Sequence, residues 1–156
     1  MSDWVSLSDR ERRGCQRRRA ALLESLAGRP ALISAGAPRI RNFPANHCGA
    51  FRATSSFLYL VGRSIPHAEL LFDGQGVTLF CEGPDPDDAL WHGPRPSLSE
   101  VATMLGCATQ PLTALPAALD GLTPLTLPAL RPAAYFLYAR LRAAGDEELR
   151  WKNECS

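Results

Sequence analysis

The chain has 156 residues, a length that suits one domain with a core of its own. Its composition, 46% hydrophobic and 21% charged, is that of an ordinary globular protein, and a net charge of +1 gives no whole-molecule pull toward nucleic acid or an acidic membrane. No apolar run approaches the roughly 18 residues of a membrane span, and the opening Met1-Ser2-Asp3-Trp4-Val5 lacks the basic start and apolar stretch of a signal peptide.

Ser8 followed by Glu11 forms a capping-box pair, in which each side chain satisfies the other's backbone N–H, so a helix is predicted to start there. Apolar Ala20, Leu22, Leu23 and Leu26 continue it, Gly28 supplies a stop, and Pro30 prevents continuation. Residues 31–34 read as a short buried strand, and 36–49, rich in Gly, Pro and Asn, as an irregular loop. The continuous apolar run 57–61 (Phe-Leu-Tyr-Leu-Val) is predicted to be a strand. Residues 68–72 and 77–81 read as two more strands joined by Asp73-Gly74-Gln75-Gly76, a hairpin signal because glycine supplies positive φ. Residues 82–96 read as a loop with one helical turn at 85–90. A second capping box, Ser97 with Glu100, opens a helix that Gly106 closes. A short helix at 114–119, a strand at 124–127, a helix at 133–143 carrying Phe136, Leu137 and Leu141, and a short charged helix after Asp146 complete the expectation. The thirteen prolines agree with many fixed turns and short elements. This order predicts an α/β fold, a mixed sheet flanked by helices.

The candidate chemistry is sparse. Five widely spaced cysteines (Cys15, Cys48, Cys81, Cys107, Cys155) with no C-x-x-C pair argue against a disulfide framework and for a reducing cytoplasm. His47, His67 and His92 have no second ligand at helical spacing, so no metal site is predicted. The acidic cluster Glu82, Asp85, Asp87 and Asp88 lacks the loop pattern of a calcium site and reads as helix capping. The basic run Arg10, Arg12, Arg13, Arg17, Arg18 and Arg19 has no interleaved aromatics and reads as a solvated helix face rather than a nucleic-acid surface. There is no G-x-S-x-G elbow and no phosphate-binding glycine loop, so no catalytic residue is assigned, and Cys15 is treated as a bystander.

Two segments in order resemble a known family. Phe51-Arg52-Ala53-Thr54-Ser55-Ser56-Phe57-Leu58-Tyr59-Leu60-Val61-Gly62 is similar to the aromatic-Arg-x-x-Ser-(Asp/Asn)-Phe-x-Tyr-x-x-Gly segment in the N-terminal domain of aminopeptidase P, of the creatinase/prolidase family. The segment Asp85-Pro86-Asp87-Asp88-Ala89-Leu90-Trp91-His92-Gly93-Pro94-Arg95 is similar to that domain's Asp…Trp-x-Gly-x-Arg segment. The opening helix with Gln16-Arg17-Arg18-Arg19 also fits, so the resemblance covers roughly residues 8–145. Ser56, Arg63, Ile65 and Pro84 depart from the family pattern, which usually has Asp or Asn, an aromatic, Glu and Arg at those places.

The resemblance implies a mixed β-sheet with helices on both faces, of ribonuclease-H-like topology, spanning residues 1–150 with 151–156 as a tail or truncated linker. It also implies that catalysis resides in a separate C-terminal pita-bread domain, absent from this chain, where two manganese ions cut the bond before proline in Xaa-Pro peptides. On this view the chain itself holds no cofactor and no metal. It meets peptide substrate only indirectly, through homo-oligomer assembly or through a catalytic domain as partner. Trp91 carries over as a substrate-pocket candidate, while Arg52, Tyr59, Gly62, Gly93 and Arg95 carry over as motif residues with structural roles, Arg52 expected to pair with a carboxylate or carbonyls. The competing expectations are a stand-alone protein-interaction module without peptidase activity, and a small binding domain acting through the arginine-rich helix.

Overall fold

The computed structural model describes residues 7–38, 51–84 and 95–126. The first helix, α1, runs Asp9–Leu26 behind Ser8, whose capping box with Glu11 is formed in both directions. Ala27 and Gly28 turn the chain through left-handed conformations, at φ 49° and 82°, into strand β1 (Ala31–Ser34). Helix α2 occupies Ser55–Val61, and β2 (Glu69–Phe72) and β3 (Val77–Cys81) form the predicted hairpin. In its turn, Asp73 Oδ1 accepts from the backbone N–H of Gln75 (2.8 Å) and Gly76 (2.7 Å). The second capping box opens α3 (Leu98–Leu105), which Gly106 closes at φ 59°. A strand β4 (Ala108–Pro111), a 3₁₀ turn (Leu112–Ala114), a short α4 (Leu115–Ala118) and β5 (Leu125–Thr126) follow. The predicted helices at 85–90, at 133–143 and after Asp146 lie outside the described residues.

The strands form one mixed sheet in the order β4-β3-β2-β1-β5, with antiparallel β1–β2 and β2–β3 and parallel β1–β5 and β3–β4. On one face, Leu70, Phe72 and Leu79 pack under α1, α2 and α3 with Phe57, Val61 and Val101. On the other, Leu32, Leu71 and Phe80 meet Leu115 of α4. The fold is thus α/β with helices on both faces. Among the described residues no helix is long and apolar enough to cross a membrane.

The structure corrects the reading of 57–61, which is helix and not strand. Thr54 caps its start, its Oγ1 accepting from the N–H of Phe57 (3.4 Å), and Gly62 ends it in a left-handed conformation with its N–H bonded to the carbonyl of Leu58 (2.8 Å). A strand would put Phe57, Tyr59 and Val61 on one face. The helix instead buries Phe57, Leu60 and Val61, at i, i+3 and i+4, and leaves Tyr59 63% exposed. Strand β4 was not predicted, because Ala108-Thr109-Gln110-Pro111 has no apolar run. It is an edge strand, largely exposed, where proline is tolerated.

The arginine run is the second correction. Arg10, Arg13 and Arg17 are exposed as expected, but Arg19 is only 4% exposed. It falls on the stripe Cys15, Arg19, Leu22, Leu23 and Leu26 that faces the core. Its Nη1 donates to the carbonyl of Leu60 (2.8 Å), and its Nη2 to those of Leu105 (3.0 Å) and Gly106 (2.8 Å). These are the last carbonyls of α2 and α3, which have no intrahelical donor and sit at the negative ends of their helix dipoles. Gln16 and Arg12 extend the same contact along α1, donating to Gly106 and Thr103 (3.4 Å each).

Removing Arg19 strips its donors from three helix-end carbonyls, of which Gly106 keeps the longer bond from Gln16. Arg19→Leu is expected to lower the free energy of unfolding by about 3 kcal/mol or more, since each buried group left unpaired costs about 1–3 kcal/mol. Arg19→Lys, a point charge without the planar fork, is expected to fall between the two. Urea titration of the three proteins checks this, and wild-type stability in Arg19→Leu would mean that water replaces the guanidinium without loss.

Candidate functional site

Helices α1 and α2 converge over β1 and the edge strand β5 and leave an open groove of about 960 Å³ between them. Leu22 and Leu26 of α1, Leu60 of α2, Ala31 and Ile33 of β1 and Leu125 of β5 give it apolar walls and floor. Arg17, Arg18, Ser55, Ser56 and Tyr59 bring polar groups to it. Tyr59 is held outward because α2 buries the residues on either side of its face. The Arg18 guanidinium lies 4.7 Å from the Tyr59 ring centroid, while its Nε donates to the Tyr59 carbonyl and its Nη2 to Cys15 Sγ (3.0 Å). Stacking of this kind at an exposed site contributes about 0.5–1 kcal/mol, enough to fix the orientation of the ring.

The motif residues do not gather at one point. Tyr59 lines the groove, and Gly62 stands three residues on, at the end of α2. Gly62 has φ 81°, and a Cβ there would come within 3.0 Å of Cys15 Sγ and 3.1 Å of Leu7 Cδ2. Both conformation and space therefore require glycine. Arg52 is exposed, and among the described residues the buried guanidinium of this neighbourhood is that of Arg19. Arg95 lies beyond β3, its Nη1 3.8 Å from Glu82 Oε2 across a solvent-exposed pair. Trp91 and Gly93 lie outside the described residues, as do His47, His92, Asp85, Asp87 and Asp88.

The sequence reading passed over Glu69. It opens β2, a strand otherwise apolar, and is only 6% exposed. Ser34, its register partner on β1, donates from Oγ to Glu69 Oε1 (2.7 Å), and Ser34 Oγ in turn accepts from the N–H of Gly36 (3.1 Å). Oε2 has no hydrogen-bond partner. Burial raises this carboxyl to about pKa 8, the Ser34 hydroxyl opposing the shift only in part. The signal available in the sequence was a single acid inside a strand whose every other position is apolar.

Two of the thiols, Cys81 and Cys107, are poor nucleophiles. Cys81 is pushed up to about 11, by burial first and by Glu82 second, and burial raises Cys107 as well. Cys15, Cys81 and Cys107 are free, and Cys15 and Cys81 are buried. Among the described residues no three His, Cys, Asp or Glu side chains come together to hold a metal, so this part of the chain presents no donor set for a two-metal centre.

A mixed sheet with helices on both faces and a capped α1 and α2 defines an α/β domain. The model of the aminopeptidase P N-terminal domain matches residues 15–125, and this chain belongs to that family. Among solved structures it is similar to Pseudomonas aeruginosa aminopeptidase PepP (24% identity, TM-score 0.72, 85% of this chain and 32% of that one). It is also similar to Escherichia coli aminopeptidase P in its low-pH form (25%, TM-score 0.68, 95% and 35%) and to proline aminopeptidase P II from Yersinia pestis (27%, TM-score 0.65, 85% and 32%). The chain thus spans about a third of the length of these solved relatives. No curated protein matches it by sequence.

Glu69 makes the stability of this domain depend on pH. The folded carboxyl keeps its proton up to about pH 8, whereas the unfolded one releases it near the ordinary 4.5, so the folded state binds more protons across that window. Stability is therefore expected to fall as pH rises through it, by at most about 1.4 kcal/mol per pH unit. Glu69→Gln, which keeps the acceptor for Ser34 and cannot ionise, is expected to lose this dependence. Urea midpoints at pH 5, 7 and 9 test it, and parallel curves for the two proteins would refute it.

At Gly62, a second expectation concerns strain. Gly62→Ala should destabilise by about 1–3 kcal/mol, the range for a side chain forced into left-handed backbone against close neighbours, as read from the thermal midpoint.

Proposed function

We propose that this chain is the non-catalytic N-terminal domain of an Xaa-Pro aminopeptidase-like metallopeptidase, residues 1–150 serving to assemble copies and to shape the substrate pocket of a dimanganese catalytic unit. The observation that carries the reading is the family match across residues 15–125, in a chain that spans about a third of the length of the solved aminopeptidases P. The groove beside Tyr59 supports it, since an apolar surface with an oriented aromatic is suited to contact another folded unit rather than to perform chemistry. Buried, proton-retaining thiols agree with that division.

In this reading the motif of the 85–95 segment places Trp91 toward the substrate pocket of a neighbouring subunit, where an indole limits the length of the bound peptide. The three free cysteines among the described residues fit a reducing compartment, and the cytoplasm is the proposed location.

The pure chain, supplied with manganese and Xaa-Pro peptides, is expected to release no N-terminal residue. Sedimentation equilibrium over a hundredfold range of concentration is expected to show self-association. Turnover by the chain alone would remove the non-catalytic assignment, and a monomer at every concentration would remove the assembly role. If Trp91 reaches a pocket, Trp91→Ala in a protein that carries both units should alter KM among peptides of different length and leave kcat for the shortest substrate nearly unchanged.

A further inference from the structure

We propose that Glu69 is the trigger of a proton-controlled latch on α2: while its carboxyl holds a proton, a chain of hydrogen bonds through Ser34 and Thr54 ties the first turn of that helix to the sheet, and loss of the proton releases it. The chain can be followed atom by atom. Ser34 is the last residue of β1 and Glu69 the first of β2, so their pairing is the terminal rung of the β1–β2 ladder. Ser34 Oγ donates to Glu69 Oε1 (2.7 Å), and the Ser34 carbonyl accepts from Thr54 Oγ1 (2.7 Å). The Thr54 N–H donates to the carbonyl of Ala35 (3.0 Å), and the Ala35 N–H donates to that of Ala68 (2.9 Å). Thr54 is the N-cap of α2, its Oγ1 accepting from the Phe57 N–H (3.4 Å) and its carbonyl from the Leu58 N–H (2.9 Å). Both tethers of the cap thus end on Ser34 and Ala35, beside the Glu69 rung.

That rung is where a charge on Glu69 has to reach water. An ionised carboxylate accepts about four hydrogen bonds, whereas among the described residues this one is offered a single hydroxyl. Its side chain shares a face of the sheet with its register partners Ser34 and Phe80, next to Leu32 and Leu71. Among the described residues the titratable groups of the surrounding elements lie elsewhere. Strand β1 carries none, and Cys81 of β3 belongs to the opposite face. His67, Arg52 and Asp120 are exposed, Arg63 donates to the Gly62 carbonyl (3.1 Å), and Glu82 lies with Arg95 beyond β3. Opening the terminal rung hydrates the carboxylate and breaks the sheet only at its end. The same opening detaches Thr54, and a helix of seven residues does not hold its first turn without a cap. The last turn is held separately, by Arg19 at the Leu60 carbonyl. Ser55, Ser56 and Tyr59 stand on α2 and line the groove, so the latch sets the order of one wall of it. The closed carboxyl keeps its proton to about pH 8 and an opened one releases it near 4.5. Opening is therefore favoured progressively between these values and no further above them.

Hydrogen exchange on the full chain, followed amide by amide and divided by the intrinsic rate at each pH, tests the proposal. Protection of the Thr54 and Leu58 amides is expected to fall by up to about tenfold per pH unit between about pH 5 and 8 and to level off above. The Val101 amide, bonded to the Ser97 carbonyl (2.9 Å) at the same place in α3, is expected to keep its protection across that range. Glu69→Gln, which cannot ionise, is expected to make the Leu58 profile flat. Thr54→Val, which lacks the hydroxyl, is expected to give low protection at Leu58 that no longer varies with pH, and Thr54→Ser to restore the slope. Equal slopes at Leu58 and Val101 would mean that only global stability titrates and would overturn the proposal. A flat Leu58 profile in the wild type, or a slope that survives in Glu69→Gln, would overturn it equally.

Discussion

Arg19 carries a full positive charge inside the protein, and three helix-end carbonyls make that tolerable. Desolvating an ion costs several kcal/mol even after relaxation. Against this stand three hydrogen bonds from a charged donor, each contributing about 1.5–3 kcal/mol, and the negative ends of two helix dipoles. The guanidinium fork suits the arrangement because its donors diverge, one toward Leu60 and two toward Leu105 and Gly106. The result ties α2 and α3 to the middle of α1. Two short helices that would be marginal alone are thereby held at fixed places on the sheet. The position of Tyr59, the glycine requirement at Gly62 and the walls of the groove all follow from that anchoring.

The opposite charge is handled differently. Glu69 lies buried in β2, held by the Ser34 hydroxyl, and among the described residues no cation pairs with it. A guanidinium cannot shed its proton, so it must be surrounded by acceptors. A carboxyl can hold its proton, and burial makes it do so. Among the described residues the domain thus contains one buried cation bonded to three backbone carbonyls and one buried acid kept neutral, with no ion pair between them. Among the described residues the ion pairs of Arg12 with Asp9 and of Arg95 with Glu82 lie toward the surface and contribute little beside the helix-end contacts and apolar packing.

For function, the groove is the feature that this architecture leaves open. The helices over β1 are fixed by the Arg19 contacts, and Leu125 of β5 lines the groove beside them.

How much was legible depended on the range of the interaction. Both capping boxes, the left-handed stops at Gly28 and Gly106, and the Asp73–Gly76 turn were readable because each is decided within a few residues. The family resemblance was readable for the same reason, as a run of side chains in order. The run 57–61 was not, since a continuous apolar stretch satisfies either period, and only the neighbours decide that Phe57, Leu60 and Val61 face inward while Tyr59 does not. Strand β4 escaped because edge strands need no apolar signature.

By itself, then, the sequence determined where helices begin and end, which strands pair through a tight turn, and which family the chain resembles. Tertiary structure alone decided that one arginine of six in a polar run is buried, that one glutamate holds its proton, and that a groove opens at β5. Local signals are written in adjacent residues, whereas the cost or benefit of burying a charge is set by partners 35 to 87 positions away in the chain.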